Sequence, residues 1–204
     1  MFNTAEKKER SLGVKLFLKG DRCNSPKCTM VRRPYRPGLH GKRRSGAPSE
    51  FKSQLQEKQK IKATYGIREA YMKKVVNEAA KNPEVTGLMI INFLERRLDN
   101  VVYRLGFTSS RSVARQMVGH GHFLINGKKI TVPSYRIKVG DIISIRPQSK
   151  EHLNFKDLTT NLKKIEPPVW LTFDQERLEG KVIALPKDVE SIFDINLVID
   201  YYSK

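Results

Sequence analysis

The sequence lacks the features that mark membrane and secreted proteins. No stretch of it approaches the ~18 consecutive apolar residues of a spanning helix. Residues 1–6 do not run from basic to apolar, as a secretory signal does. Only two cysteines are present, and a disulfide between them would be unusual in a reducing cytosol. These absences favour a cytoplasmic protein with no membrane partner.

Acidic residues are also scarce. The chain of 204 residues carries 21 Asp and Glu against 39 Lys and Arg, for a formal net charge of +18. A compact chain with that surplus repels itself unless an anionic partner neutralises it. The composition therefore predicts a nucleic-acid-binding protein.

Signatures of catalytic sites are missing as well. There is no phosphate loop of the G-x-x-x-x-G-K-[ST] type, no H-E-x-x-H, and no H-x-E followed by C-x-x-C. His120 and His122 could form a metal pair or an acid–base site, but they lie between glycines and among arginines, which favours RNA contact. We expect that the protein is not an enzyme.

The basic residues concentrate in the first third of the chain. Residues 1–75 hold 20 basic and 6 acidic residues, whereas residues 160–204 hold 6 basic and 8 acidic. Residues 20–48 contain four prolines and four glycines, which suppress both helix and sheet. This segment is either a disordered basic tail or an extended arm that orders on RNA. Tyr35 and His40 favour the arm, because planar side chains can stack on splayed bases.

Helices are predicted after the arm. Ser49 is placed to cap a helix that is broken at Gly66, and a second helix runs over residues 67–80 until Asn82-Pro83 ends it. A longer helix is predicted from Thr86 to Leu105, with Gly106 as its C-cap. Ser109 or Ser110 then caps a short helix.

Period-two patterns follow the last of these helices. Asn126-Gly127 between alternating apolar residues predicts a hairpin. Further strands are predicted at 134–137, 142–145, 170–173, 181–185 and 197–201. The fold class is α+β: a basic extended arm and a helical N-terminal part, then two helices on a short twisted antiparallel sheet, then a β-rich C-terminal tail.

Several motifs in this order resemble a known family. Arg97-Leu98-Asp99, Ser110-Arg111-x-x-Ala114-Arg115, Asn126-Gly127 and Val139-Gly140-Asp141 resemble the small S4-type RNA-binding module. Outside the module, Arg32-Arg33-Pro34-Tyr35, Pro37-Gly38-x-His40-Gly41 and Tyr65-Gly66 resemble the small-subunit ribosomal protein S4 family over nearly the whole chain. The module also occurs in RNA enzymes, but the basic N-terminal third does not.

The resemblance implies four parts: an arm (1–48), a helical domain (49–94), an S4-type module (95–158) and a C-terminal β-rich segment (159–204) that packs back on the others. It implies a structural, primary rRNA-binding protein of the small ribosomal subunit. Such a protein nucleates assembly at a multi-helix junction in the 5′ region of that RNA. It also implies a place near the messenger RNA entry path beside ribosomal proteins S5 and S3, with an influence on translational accuracy.

RNA contact is carried over residue by residue. In the arm the candidates are Arg32, Arg33, Tyr35, Arg36, His40, Lys42, Arg43 and Arg44. In the module they are Arg97, Arg104, Ser110, Arg111, Arg115, His120, His122, Lys128 and Lys129. Asp99 and Asn126 are expected to be structural, through hydrogen bonds in a cap or a turn.

Zinc is the one cofactor that the resemblance raises. Some members of the family carry two cysteine pairs in the first third. This chain keeps only Cys23 and Cys28, and has Glu6 and Glu9 where the first pair would fall. Two thiolates cannot close a structural tetrahedral site, so we expect no cofactor and two free thiols.

The rival hypothesis is an RNA-modifying enzyme or a tRNA synthetase fragment that captures its substrate with the module. Such an enzyme needs a further catalytic domain of ~150 residues or more. A factor that rescues stalled ribosomes is a weaker third hypothesis, because it would be shorter and lack the arm.

Overall fold

The computed structural model describes residues 4–43, 46–81, 86–149, 167–174, 177–186 and 193–203. The chain divides into two compact units, one formed by residues 1–90 and 190–204 and the other by residues 91–189. Helices and one antiparallel sheet make up the described part, which confirms the α+β class. None of the described helices combines the length and hydrophobicity needed to cross a bilayer.

The first unit is helical. Its helices are α1 (Thr4–Leu12), α2 (Asp21–Asn24), α3 (Thr29–Arg32), α4 (Glu50–Tyr65), α5 (Glu69–Ala79) and, after the second unit, α9 (Ile195–Ser203). The side chain of Ser49 accepts a hydrogen bond from the amide of Lys52 at the start of α4, and Gly66 ends that helix in the left-handed conformation. Both predicted ends of α4 are thus confirmed.

Two predictions fail in the first unit. The arm is not extended throughout, because Thr4–Leu12 is helical and Leu16, Cys23 and Cys28 are buried. The strand predicted at 197–201 is helix α9. Asp194 Oδ1 accepts from the amide of Asn196 at 3.0 Å, and this cap was the sequence signal for a helix that we missed.

Helix α9 packs against α4 and α5, so its apolar residues follow the helical period rather than alternation. The start of α6 (Thr86–Glu95) also lies close to α9, since a Cβ at Gly87 would meet Ile195 Cγ2 at 2.9 Å. The predicted helix stop at Asn82-Pro83 lies outside the described residues.

The second unit places two helices on a five-stranded sheet. Its helices are α7 (Leu98–Arg104) and α8 (Arg111–Gly119), and its strands are β1 (Phe123–Ile125), β2 (Lys128–Lys129), β3 (Ile142–Ile145), β4 (Leu171–Asp174) and β5 (Glu179–Val182). The strand order is β2-β1-β3-β5-β4, and every neighbouring pair is antiparallel. The predicted strands at 170–173 and 181–185 correspond to β4 and β5, shifted by one or two residues at each start.

The core of this unit lies between the helices and the sheet. The ring of Phe107 packs against those of Phe123 and Phe173, with centroids 5.5 and 5.3 Å apart. Leu105 lies so close to β5 that a Cβ at Gly180 would meet its Cδ1 at 2.3 Å. This contact fixes α7 on the sheet, because there is no room for a side chain at that point of β5.

The Asn126-Gly127 hairpin is confirmed. Both residues have positive φ, 49° and 77°, as a type I′ turn requires. The Asn126 amide group also accepts from the Ile142 amide at 2.9 Å and donates to Asp141 Oδ1 at 2.9 Å. Asn126 is therefore structural, and it joins the hairpin turn to the start of β3.

The single helix predicted from Thr86 to Leu105 is wrong, because the chain is extended at Arg97. The amide of Leu98 donates to the carbonyl of Tyr135, and the amide of Ile137 donates to the carbonyl of Arg96, both at 2.9 Å. The strand predicted at 134–137 is reduced to one bridge, between Arg97 and Arg136. These bonds take the backbone groups that would otherwise continue the helix.

Candidate nucleic-acid interface

The arm residues predicted to contact RNA are mostly exposed. Arg32, Arg33, Arg36, His40, Lys42 and Arg43 are exposed, Tyr35 is half-buried, and Arg44 lies outside the described residues. The ring of Tyr35 has two cations near it: the Arg10 guanidinium at 5.0 Å and Lys42 Nζ at 5.3 Å from the centroid. Tyr35 is thus already engaged within the chain, which qualifies the prediction that it stacks on a base.

The four side chains at the zinc positions of the resemblance do not fit a metal. Among the described residues there is no group of three or more His, Cys, Asp or Glu side chains placed to hold an ion. Glu9 Oε1 accepts from the amides of Leu16 and Leu18, both at 3.1 Å, and Glu6 pairs with Arg22 at 2.7 Å. One oxygen of each carboxylate therefore already has a partner within the chain, whereas Glu9 Oε2 is buried without a hydrogen-bond partner.

The two thiols at these positions are free and buried. Burial raises the pKa of Cys23, and the negative charge of Glu9 adds to this effect. A raised thiol pKa opposes formation of the thiolate that binds zinc.

Glu95, the last residue of α6, joins the first turn of α7 to its last turn. Glu95 is fully buried, and both of its carboxylate oxygens accept from Arg104, Oε2 from Nε at 3.1 Å and Oε1 from Nη2 at 3.0 Å. Asn100 donates to Glu95 Oε2 at 2.8 Å. Two charge-assisted bonds to one carboxylate fix the guanidinium of Arg104 in one orientation.

Arg111 extends this network onto α8. Its Nε donates to Asn100 Oδ1 at 2.8 Å, and its guanidinium lies over the ring of Tyr103 at 4.5 Å from the centroid. At the start of the same helix, Ser110 accepts from the amide of Val113. Ser110 is the N-cap and is buried, so its hydroxyl is used by the helix and not presented to RNA.

Asp99 holds two further arginines. Arg97 donates to it through Nε at 3.0 Å and Nη2 at 2.6 Å, and Arg115 Nη1 lies 3.9 Å from Asp99 Oδ2. Arg97 is only 2% exposed, whereas the side chain of Arg115 is 48% exposed. The structure therefore places Arg97 in the interior with Asp99, against the prediction that it touches RNA, and leaves Arg115 at the surface.

Three of the predicted residues, His120, His122 and Lys129, lie close together at the end of α8. The rings of His120 and His122 are 6.0 Å apart, and His122 Nδ1 is 3.0 Å from Ser149 Oγ. Lys128 and Lys129 are exposed on β2. The side chain of Lys129 passes over Gly121, where a Cβ would meet its Cε at 2.2 Å. Gly121, which has no side chain, therefore leaves room for the side chain of Lys129 between the two histidines.

The sequence interpretation missed two arginines beside the bridge between Arg97 and Arg136. Arg96 Nε donates to the carbonyl of Ile137 at 2.8 Å, and Arg136 lies over the ring of Phe93 at 4.2 Å. Burial, and then the charge of Arg136, lower the pKa of Arg96. Because the positive charges of Arg96 and Arg136 repel each other, a phosphate bound nearby would stabilise the charged form of both. The signal was the adjacent Arg96-Arg97 pair, of which we selected only the second.

The sequence matches two family models. Residues 3–95 match the one described as the ribosomal protein S4/S9 N-terminal domain, and residues 96–143 match the S4 domain.

Similar proteins cover almost the whole chain. The small ribosomal subunit protein uS4 of Halothermothrix orenii is 46% identical over 197 residues, which is 96% of this chain and 94% of that protein. The uS4A protein of Alkaliphilus oremlandii is 48% identical, with the same coverage of both chains. The uS4 protein of Thermus thermophilus is 46% identical over 202 residues, also 96% of this chain and 94% of that protein.

Proposed function

This chain belongs to the uS4 family of small-ribosomal-subunit proteins, and from this premise we propose that it binds the RNA of that subunit directly. As a member of the family it is a structural component of the ribosome. The S4 domain supplies RNA binding, and the protein acts in the cytoplasm within the small subunit. The match to the ribosomal N-terminal domain favours this function over an RNA enzyme that carries only the module. It has no catalytic role and needs no cofactor.

The observation that carries the proposal is the arginine network on α7 and α8. Arg104 and Arg111 each donate a hydrogen bond to a carboxylate or amide of the module, and Arg115 lies 3.9 Å from the Asp99 carboxylate, while part of each side chain stays at the surface. Oriented guanidiniums bind phosphate oxygens more tightly than free ones, because less side-chain entropy is lost on binding. Lys128 and Lys129 add two exposed cations at the hairpin.

The resemblance to the family also supports a finer role. The chain is a primary binder of a multi-helix junction in the 5′ region of small-subunit rRNA and nucleates assembly there. It lies near the messenger RNA entry path beside ribosomal proteins S5 and S3 and contributes to translational accuracy. The strong basic surplus of residues 1–75 supports contact with several RNA segments at once.

The test is a pair of measurements on one double variant, Arg111→Ala with Arg115→Ala. Loss of two phosphate contacts is expected to weaken binding to a 5′-domain rRNA fragment and to lower the salt slope of the binding constant by about 2. The free energy of unfolding should change by no more than about 1 kcal/mol, since both side chains are partly exposed. Filter binding and thermal melts measure the two effects.

The matched control removes the same charge from the other end of the sheet. Arg177 and Lys181 are exposed in the β4–β5 hairpin, where Asp174 and Glu179 face each other across the strands. The pair Arg177→Ala with Lys181→Ala should leave RNA affinity close to that of the wild type. Equal losses in both double variants would show that net charge, and not the arginine network, governs binding.

A further inference from the structure

Arg10 makes an unusual set of contacts within the basic arm. From α1, its Nε donates to the carbonyl oxygens of Arg33 at 3.0 Å and Tyr35 at 2.9 Å, and its Nη2 donates to that of Arg36 at 3.3 Å. Its guanidinium also lies 5.0 Å from the centre of the Tyr35 ring. One side chain therefore gathers three carbonyls of a segment more than twenty residues away.

The loop of residues 33–36 depends on an outside donor of this kind. Pro34 within it and Pro37 after it have no amide hydrogen, so the loop has few donors of its own for these carbonyls. A planar guanidinium presents five donors in a rigid fork, so it can donate to several acceptors in a fixed geometry. With its carbonyls turned towards Arg10, the loop leaves the side chains of Arg33 and Arg36 exposed.

We propose that Arg10 is a positioning residue for RNA binding: it holds the loop of residues 33–36 so that Arg32, Arg33 and Arg36 are presented together to the phosphate backbone. The proposal rests on the proposed function and deepens it. In this role Arg10 acts through the loop, since its Nε and Nη2 donate to the three loop carbonyls. Affinity increases because the loop is already ordered before RNA binds, so the entropic cost of ordering it is not paid during binding.

The experiment compares Arg10→Lys with Lys8→Ala in the full chain. Arg10→Lys keeps the charge and loses the planar fork, whereas Lys8→Ala removes a charge from an exposed site on the same helix. Arg10→Lys is expected to weaken binding to the 5′-domain rRNA fragment roughly tenfold, with the salt slope unchanged, because the number of phosphate contacts stays the same. Lys8→Ala should change affinity by less than about twofold.

A second measurement needs no RNA. Chymotrypsin cleavage after Tyr35 should be several times faster in Arg10→Lys than in the wild type and Lys8→Ala, at a temperature where melts show all three folded. An unchanged cleavage rate would overturn the proposal. An RNA affinity of Arg10→Lys equal to that of the wild type would also overturn it. A third contrary result is a salt slope that falls by about 0.9 in Arg10→Ala and returns to the wild-type value in Arg10→Lys, because such a change marks a direct phosphate contact of residue 10.

These outcomes separate the role of Arg10 from the function on which it rests. If the wild-type chain shows no salt-dependent binding to the fragment, the proposed function fails and this role fails with it. If the wild type binds and Arg10→Lys behaves identically in both measurements, only the role of Arg10 is refuted.

Discussion

Arg97 and Arg115 show how two arginines on one carboxylate can have different roles. Both lie near Asp99, but Arg97 is interior and Arg115 is half exposed. A buried ion pair contributes little net stability as a pair, yet removal of one partner leaves an uncompensated charge in the core. The carboxylate is thus fixed by Arg97 in the interior and lies 3.9 Å from Nη1 of Arg115 at the surface.

At this scale we predict that Arg97→Ala destabilises the fold. The free energy of unfolding is expected to fall by about 3–5 kcal/mol, as for other broken buried pairs. Urea denaturation measures the change, and Arg115→Ala serves as the control, with an expected change within about 0.5 kcal/mol. Equal stability of the two variants would contradict the assignment of Arg97 to the core.

Helix α9 is the element that differs most from its predicted structure. Lys58 on α4 lies 3.9 Å from the centre of the Tyr201 ring, and the Tyr202 hydroxyl donates to Glu69 on α5 at 2.6 Å. Lys58 and Lys62 also donate to Glu69, at 3.1 and 2.6 Å. The carboxylate of Glu69 therefore ties three helices together.

These bonds to Glu69 predict that the stability of the fold depends on pH. Burial by itself raises the pKa of Glu69, but the hydrogen bonds from Lys62, Tyr202 and Lys58 outweigh it and lower the pKa to about 2. A carboxylate whose pKa is lowered by folding stabilises the fold above its unfolded pKa, and this contribution is lost as the pH falls towards the folded value. Glu69→Gln should therefore flatten the fall of Tm between about pH 4.5 and 2.

At neutral pH the free energy of unfolding of Glu69→Gln is expected to fall by less than about 1 kcal/mol, because the Glu69 side chain is 46% exposed and solvent screens its ion pairs. Asp200→Asn is the control, since Asp200 is an exposed carboxylate on α9. Melts of both variants and the wild type across this pH range give the comparison. If the Tm of Glu69→Gln falls with pH as steeply as that of the wild type, the Glu69 carboxylate does not stabilise the packing of the three helices.

For the whole molecule, the uneven charge determines the expected mode of binding. The first 75 residues carry most of the basic surplus, and the arginine network on α7 and α8 adds a second cationic surface. If ~6–10 phosphates are neutralised, affinity for the rRNA fragment should fall ~10³–10⁵-fold between 50 and 200 mM salt. Filter binding over a salt series measures this fall, and a nearly flat response would refute phosphate-dominated binding.

The features that the sequence determined by itself depend either on neighbouring residues or on overall composition. Ser49, Gly66, Ser110 and the Asn126-Gly127 turn act on backbone groups within a few residues, so their effects were predicted and are confirmed. The basic surplus and the ordered motifs were sufficient to predict the family. The surface cations of the candidate site could be selected because their residue types alone suit phosphate.

The tertiary structure decided what depends on distant partners. Helix α6 ends at Glu95 because residues 133–137, some forty positions away, take the backbone hydrogen bonds of residues 96–99. No sequence pattern near residue 97 predicts these bonds. Arg97 is buried because Asp99 neutralises it inside that turn. Residues 195–203 are helical because they pack on α4 and α5, where Tyr201 lies over Lys58 and Tyr202 donates to Glu69, and these partners come together only once the two helices have packed.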